Sequence, residues 1–155
     1  VKTPFIFDAG IAFTNKLITL SAAARYRDWS QTRFEVSEYE LDDQDYRSIV
    51  SENNYLARDY DQVLEYRLGG EILLPGLNTK LRAGYTMIPS PLRDNNDDRT
   101  TYSAGVSFKV DKNVSLDISY LKRDWTRDSW DIYTPAGVNE SIETHKVLVG
   151  LTYNL

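Results

Sequence analysis

Polarity alternates residue by residue along most of this chain, and that pattern dictates a backbone with two unlike faces. It is clearest in Ser115-Leu-Asp-Ile-Ser-Tyr120 and in Val147-Leu-Val-Gly-Leu-Thr-Tyr-Asn-Leu155. A period of two belongs to β-strands, whose successive side chains point to opposite sides. We read seven such segments: 4–14, 17–30, 58–74, 79–88, 99–110, 114–124 and 142–155. One face carries Phe7, Ile11, Leu20, Leu68, Tyr85, Val106, Phe108, Ile118 and Val149. The other carries Asp8, Arg25, Glu65, Arg67, Arg82, Ser107 and Asp117. Asn15-Lys16, Pro75–Asn78 and Asp111–Asn113 read as tight turns, and all five prolines fall in or beside connections, where a missing N–H breaks no ladder.

Alternation alone leaves two architectures open. In a soluble sandwich the apolar face is the core; in a membrane barrel it meets lipid and the charged face lines the lumen. Loop lengths separate them. The tight turns alternate with long polar connections at 31–57, 89–98 and 133–141, so every short turn falls at one end. That asymmetry belongs to outer-membrane barrels, with short periplasmic turns and long extracellular loops. Most segments reach the roughly 9–11 residues that a tilted strand needs to cross a bilayer. No stretch approaches the roughly 20 apolar residues of a membrane-spanning helix. The 11 Tyr, 5 Phe and 3 Trp suit an interfacial girdle as well as a sheet.

The 155 residues make one domain, 1–155, with 31–57 as its long extracellular loop. A net charge of -5 argues against a nucleic-acid partner. Absence of cysteine excludes disulfides and thiolate metal sites. No signal peptide precedes the first strand, and a fragment is the favoured reading. Seven antiparallel strands leave the first and last running the same way, so the sheet needs a missing half, a second copy or an eighth strand. Arg33–Tyr39 is the best candidate for extra strand, as an extension of the second strand.

The order Thr3-Pro-Phe5, Leu17–Gln31, Glu65-Tyr-Arg-Leu-Gly-Gly-Glu71, Leu81–Tyr85 with Pro89-Ser-Pro-Leu92, and Tyr102–Phe108 followed by Val114–Tyr120 resembles a known family. It is similar to the C-terminal half of FadL-type outer-membrane transporters of long-chain fatty acids and aromatic hydrocarbons. The resemblance covers Thr3 to Leu155 apart from the 31–57 loop. It implies seven strands of a fourteen-stranded, up-and-down transmembrane β-barrel. It also implies passive admission of hydrophobic small molecules across the outer membrane of a Gram-negative-type bacterium, with no enzyme activity and no cofactor. The family's hatch and kinked strand belong to the first half, which would be the partner of this chain along with outer-membrane lipid. The terminal Leu155 departs from the aromatic that usually ends such barrels.

The inward arginines Arg25, Arg27, Arg67 and Arg82 are the candidate substrate-binding residues, since guanidinium forks match a carboxylate. The competing expectation pairs them with Asp8, Glu65, Glu71 and Asp117 on neighbouring strands. Apolar parts of 31–57 are the second proposed contact. Gly10, Gly69, Gly84, Gly105 and Gly150 share the inward row and either clear space or relieve crowding. Asp42, Asp43, Asp45 and the 94–98 run lack the spacing of a calcium loop and read as solvated. His145 has no catalytic partner in the pattern, and Trp125 and Trp130 read as part of an interfacial belt, with an external apolar groove for substrate as the alternative. No nucleophile elbow, phosphate loop or metal quartet is present, so no catalytic or metal residue is assigned. A structural or adhesive outer-membrane barrel and a soluble lipid-binding β-barrel are the alternatives.

Overall fold

A computed structural model describes residues 1–36, 42–93, 97–131 and 134–153, with the side chains of 128–131 and 134–136 outside the description. The strands are β1 (Ile6–Thr14), β2 (Ile18–Asp28), β3 (Gln62–Leu74), β4 (Thr79–Ile88), β5 (Arg99–Lys109), β6 (Val114–Asp131) and β7 (Thr134–Tyr153). They form one antiparallel sheet in chain order, each strand paired with the next. The fold is therefore all-β in its sheet, as the alternation requires. The sheet is open: among the described residues no strand pairs with the outer side of β1 or β7.

Turn chemistry fixes the register. The Asn15 side chain accepts the Leu17 and Ile18 N–H groups, each at 2.8 Å, and closes β1 onto β2. Pro75 opens a 3-10 turn that ends at Asn78 in the left-handed region (φ 49°), a conformation Asn tolerates. The Val114 carbonyl accepts from Val110 and Asp111 between β5 and β6. These three turns share one end of the sheet.

With that register apolar residues meet apolar residues across the middle of the sheet. Ile18, Ile72, Leu81, Val106, Ile118 and Val149 stand side by side from β2 to β7. Toward the long-connection end the same face carries Tyr26, Tyr66, Tyr85, Tyr102 and Tyr120. Phe7 meets Tyr26 and Tyr85 meets Tyr102, at ring centroids 6.3 and 5.3 Å apart. This apolar face is exposed: Phe7 keeps 64% and Val149 68% of its accessible surface. Burial lies on the other face, where Glu65 is 7% and Ser107 8% exposed. Val63 (3%) and Pro4 are the buried apolar residues among those described. No sandwich core exists in the described sheet.

Three sequence expectations need correction. The Gln31–Ala57 connection is not irregular: α1 (Asp43–Asp59) occupies much of it and takes Arg58 and Asp59 from the expected strand, so β3 starts at Gln62. Asp42 caps α1 by accepting from Gln44 and Asp45, Asp43 and Asp45 suit its positive end, and Tyr46, Ile49, Asn53 and Leu56 form a half-buried stripe. The extra strand at Arg33–Tyr39 reduces to one bridge between Lys2 and Arg33, and residues 37–39 lie outside the described residues. The Tyr133–Ser141 loop is also shorter than expected. β6 and β7 run on past Arg99 as a two-stranded hairpin that carries the Arg127–Glu140 pair (3.2 Å), with Lys122–Glu143 (2.8 Å) near its base. Alternating hydropathy cannot reveal strand stabilised by cross-strand ion pairs.

Candidate functional site

The polar face is the candidate site, because the charged pairs and the buried Glu65 and Ser107 lie on it. Its side chains fall into two charged clusters. Toward the long connections, Asp8, Arg25 and Glu65 share one cross-strand row, with Arg67 on the next. Arg25 Nε meets Asp8 Oδ1 at 2.7 Å, and Arg67 meets Glu65 Oε2 at 3.0 Å. Arg27, between Ile6 and Val63 in register, lays its guanidinium over the Trp29 ring at 4.7 Å. Its Nε is buried with no hydrogen-bond partner.

At the turn end stands a second cluster. Glu71 accepts from Lys80 at 3.0 Å and from Arg82 Nε at 2.7 Å. The same guanidinium reaches Ser107 Oγ at 2.7 Å and Asp117 Oδ1 at 3.2 Å, and Ser107 donates to Asp117. Arg82 thus ties three strands together, as Glu71, Ser107 and Asp117 belong to β3, β5 and β6.

Small residues separate the clusters. Ala12, Ser21, Gly69, Gly84 and Ser103 form one row and Gly10 with Ala23 part of the next. A Cβ on Gly69 would stand 2.7 Å from Ser21 Oγ, and one on Gly84 2.6 Å from Ser103 Oγ. Of the two glycine readings, relief of crowding applies at these positions.

The four arginines singled out from sequence do not converge. Arg25, Arg27 and Arg67 belong to the first cluster and Arg82 to the second. Three hold carboxylates: Arg25 and Arg82 meet Asp8, Glu71 and Asp117 on other strands as expected, whereas Arg67 meets Glu65 on its own strand β3 rather than on a neighbouring one. Arg27 alone of the four stacks on an aromatic ring instead. Lys80, Lys109, Asn78 and Ser115 were not singled out, although the turn-end register brings them around the Arg82 network. Their signal lay in the cross-strand pairing of the Asn78 turn with β5, which composition does not show.

Trp125 is not in a belt: it shares the polar face with Arg123 and Arg99, beside a cleft of about 130 Å³. The Trp130 side chain lies outside the described residues. His145 stacks on Tyr120, contacts its hydroxyl at 2.5 Å and approaches Glu143 at 3.0 Å. Asp98 accepts the Ser90 N–H at 2.8 Å, and residues 94–96 of its run are outside the description. No group of three metal-ligating side chains converges among the described residues.

No protein-family model, curated protein or solved structure matches the chain.

Proposed function

We propose that this chain is part of the wall of a transmembrane β-barrel in the outer membrane of a Gram-negative-type bacterium. The barrel admits hydrophobic small molecules, long-chain fatty acids or aromatic hydrocarbons, by passive diffusion. One observation carries the reading: an apolar face unbroken across seven strands is exposed, while the buried polar groups Glu65 and Ser107 face the other way. Hydrocarbon is the medium that such a face suits, and apolar surface of this extent marks a contact to be made. The tyrosines toward the loop end of the apolar face and the gathering of tight turns at the other end support the orientation with turns toward the periplasm.

The sheet edges call for a partner. Asn15 N–H donates to the Ile18 carbonyl at 2.9 Å, so odd-numbered β1 residues bond β2. Ile6, Asp8, Gly10, Ala12 and Thr14 then turn their N–H and C=O groups to the open edge. In lipid each such group left unpaired costs several kcal/mol. Because β1 and β7 run the same way, a second copy in the same orientation meets this one at two parallel seams. A further segment with an odd number of strands restores antiparallel pairing at both edges and gives an even total. The missing half-barrel is therefore preferred to a second copy.

The β6–β7 hairpin, which outruns its neighbours and pairs through exposed ion pairs, favours a second reading as an adhesive outer-membrane barrel. One experiment separates these. In cells carrying the complete barrel, laurate uptake is measured after Arg25, Arg67 and Arg82 are all changed to Ala, and again after residues 126–141 are removed. Loss of uptake with the arginines gone and its retention without the hairpin support transport. Unaltered uptake in the triple variant removes those arginines from the mechanism. A purified chain that is soluble and sheet-rich by circular dichroism without detergent defeats the membrane reading.

A further inference from the structure

The turn end of the polar face holds a cavity of about 460 Å³ whose charges do not balance. Asn78, Lys80, Arg82, Ser107, Lys109 and Ser115 line it, with Asp117 at its wall. Three cations (Lys80, Arg82, Lys109) face two carboxylates (Glu71, Asp117), leaving one positive charge in a chain whose net charge is -5. Both carboxylates are taken: Glu71 by Lys80 and Arg82, Asp117 by Arg82 and Ser107. Among the described residues Lys109 makes no ion pair, and its backbone is held by the Asn78 carbonyl at 3.4 Å.

The hydrogen-bonding inventory is equally one-sided. Lys109 offers three N–H donors, Lys80 retains donors beyond its bond to Glu71, Arg82 has a second terminal nitrogen, and the Ser115 hydroxyl can donate. A group rich in acceptor oxygens and carrying negative charge satisfies these together, through charge-assisted hydrogen bonds. The strands beneath are tied by Arg82 across β3, β5 and β6, so the donors stand on rigid elements.

We infer that this cavity is a seat for a small oxyanion, a carboxylate or phosphate group, with Lys109 as its principal contact. The seat depends on local charge and donors, and it holds whichever medium touches the opposite face of the sheet.

The test uses the complete barrel in detergent micelles, followed by backbone amide NMR at constant ionic strength. Inorganic phosphate, sodium acetate and sodium chloride are titrated separately. Saturable shifts at Lys80, Ser107, Lys109 and Ser115 with phosphate or acetate, and none with chloride, are expected. Saturation by phosphate alone assigns a phosphate-type anion, and saturation by acetate a carboxylate. Lys109→Ala weakens binding by about fivefold, as for loss of one exposed charge contact. Lys109→Arg retains it, and Arg25→Ala in the other cluster leaves it unaltered. Lys109→Gln, which keeps the length of the strand-borne side chain, serves where the alanine variant misfolds. Equal shifts with chloride, or binding by Lys109→Gln as tight as by the native chain, overturn the assignment.

Discussion

Asn53 clamps the backbone of Phe34: its side-chain oxygen accepts the Phe34 N–H at 2.7 Å and its amide nitrogen donates to the Phe34 carbonyl at 2.9 Å. One side chain thereby completes both backbone hydrogen bonds of a residue outside any strand and fastens it to α1. The helix also ends in a knot: Tyr60 bridges to Leu92, Arg93 N–H donates to Asp59, and Trp29 N–H to Asp61. The long connections at this end of the sheet are thus knit together. Replacing Asn53 with Ala leaves two Phe34 groups without these partners. Local opening is expected to become easier by about 1–2 kcal/mol. Amide hydrogen exchange at Phe34 reads it, and exchange in β2 and β3 should stay as it was.

Val149 tests the medium at the apolar face. It keeps 68% exposure in the row of Ile118, Val106, Leu81, Ile72 and Ile18. Val149→Arg is expected to cost roughly 2–4 kcal/mol if this row lies near the bilayer midplane. Ser119→Arg, on the polar face of the adjacent strand, is expected to cost far less. Urea unfolding of the barrel in lipid vesicles measures both. Equal costs for the two variants would defeat the lipid-facing assignment.

Gly84 and Ser103 are coupled across β4 and β5, because a Cβ at 84 would meet the serine oxygen at 2.6 Å. Gly84→Ala alone is expected to destabilise by about 1 kcal/mol through overpacking. In a Ser103→Ala background the contact is gone, and the same change is expected to stabilise by about 0.5–1 kcal/mol by removing glycine's extra chain entropy. A double-mutant cycle by denaturant unfolding gives the coupling directly.

What sequence alone revealed was governed by period. The strand faces of Phe7, Leu68 and Val149 and the turns at Asn15 and Pro75 were readable, because side-chain alternation and turn propensity are local. That the arginines would meet carboxylates such as Asp8 and Glu71 followed from placing them on one face; which meets which was set by register. Helix α1 was not read, although Asp42 followed by the stripe Tyr46, Ile49, Asn53 and Leu56 is a 3.6-residue pattern with a cap. Its polar composition resembles a loop, and the helix packs mainly against the Trp29–Gln31 turn, with Asn53 held to Phe34. The turn-end cavity stayed hidden for another reason. Lys109, Lys80 and Asn78 become neighbours only through strand register, which no single segment specifies.

Asp59 gives the α1 terminus a pH dependence. The Arg58 guanidinium, 2.6 Å from its carboxylate, holds Asp59 below the ordinary value of 3.8, helped by the Tyr55 hydroxyl. A depressed carboxyl contributes stability that is fully present above the unfolded value and is lost as pH falls through the lower folded one. The last turn of α1 is therefore expected to keep its protection at neutral pH and to loosen only in acid below that ordinary value. Arg58 is solvent-exposed and Asp59 half-buried, so added salt should shrink the effect. Exchange of the Arg58–Tyr60 amides from neutral pH into acid measures it, with Asp59→Asn as the reference. That variant should lack the acid-dependent increment while keeping the Asp42 cap at the other end of the helix. An increment that persists in Asp59→Asn would assign the transition to another carboxyl group.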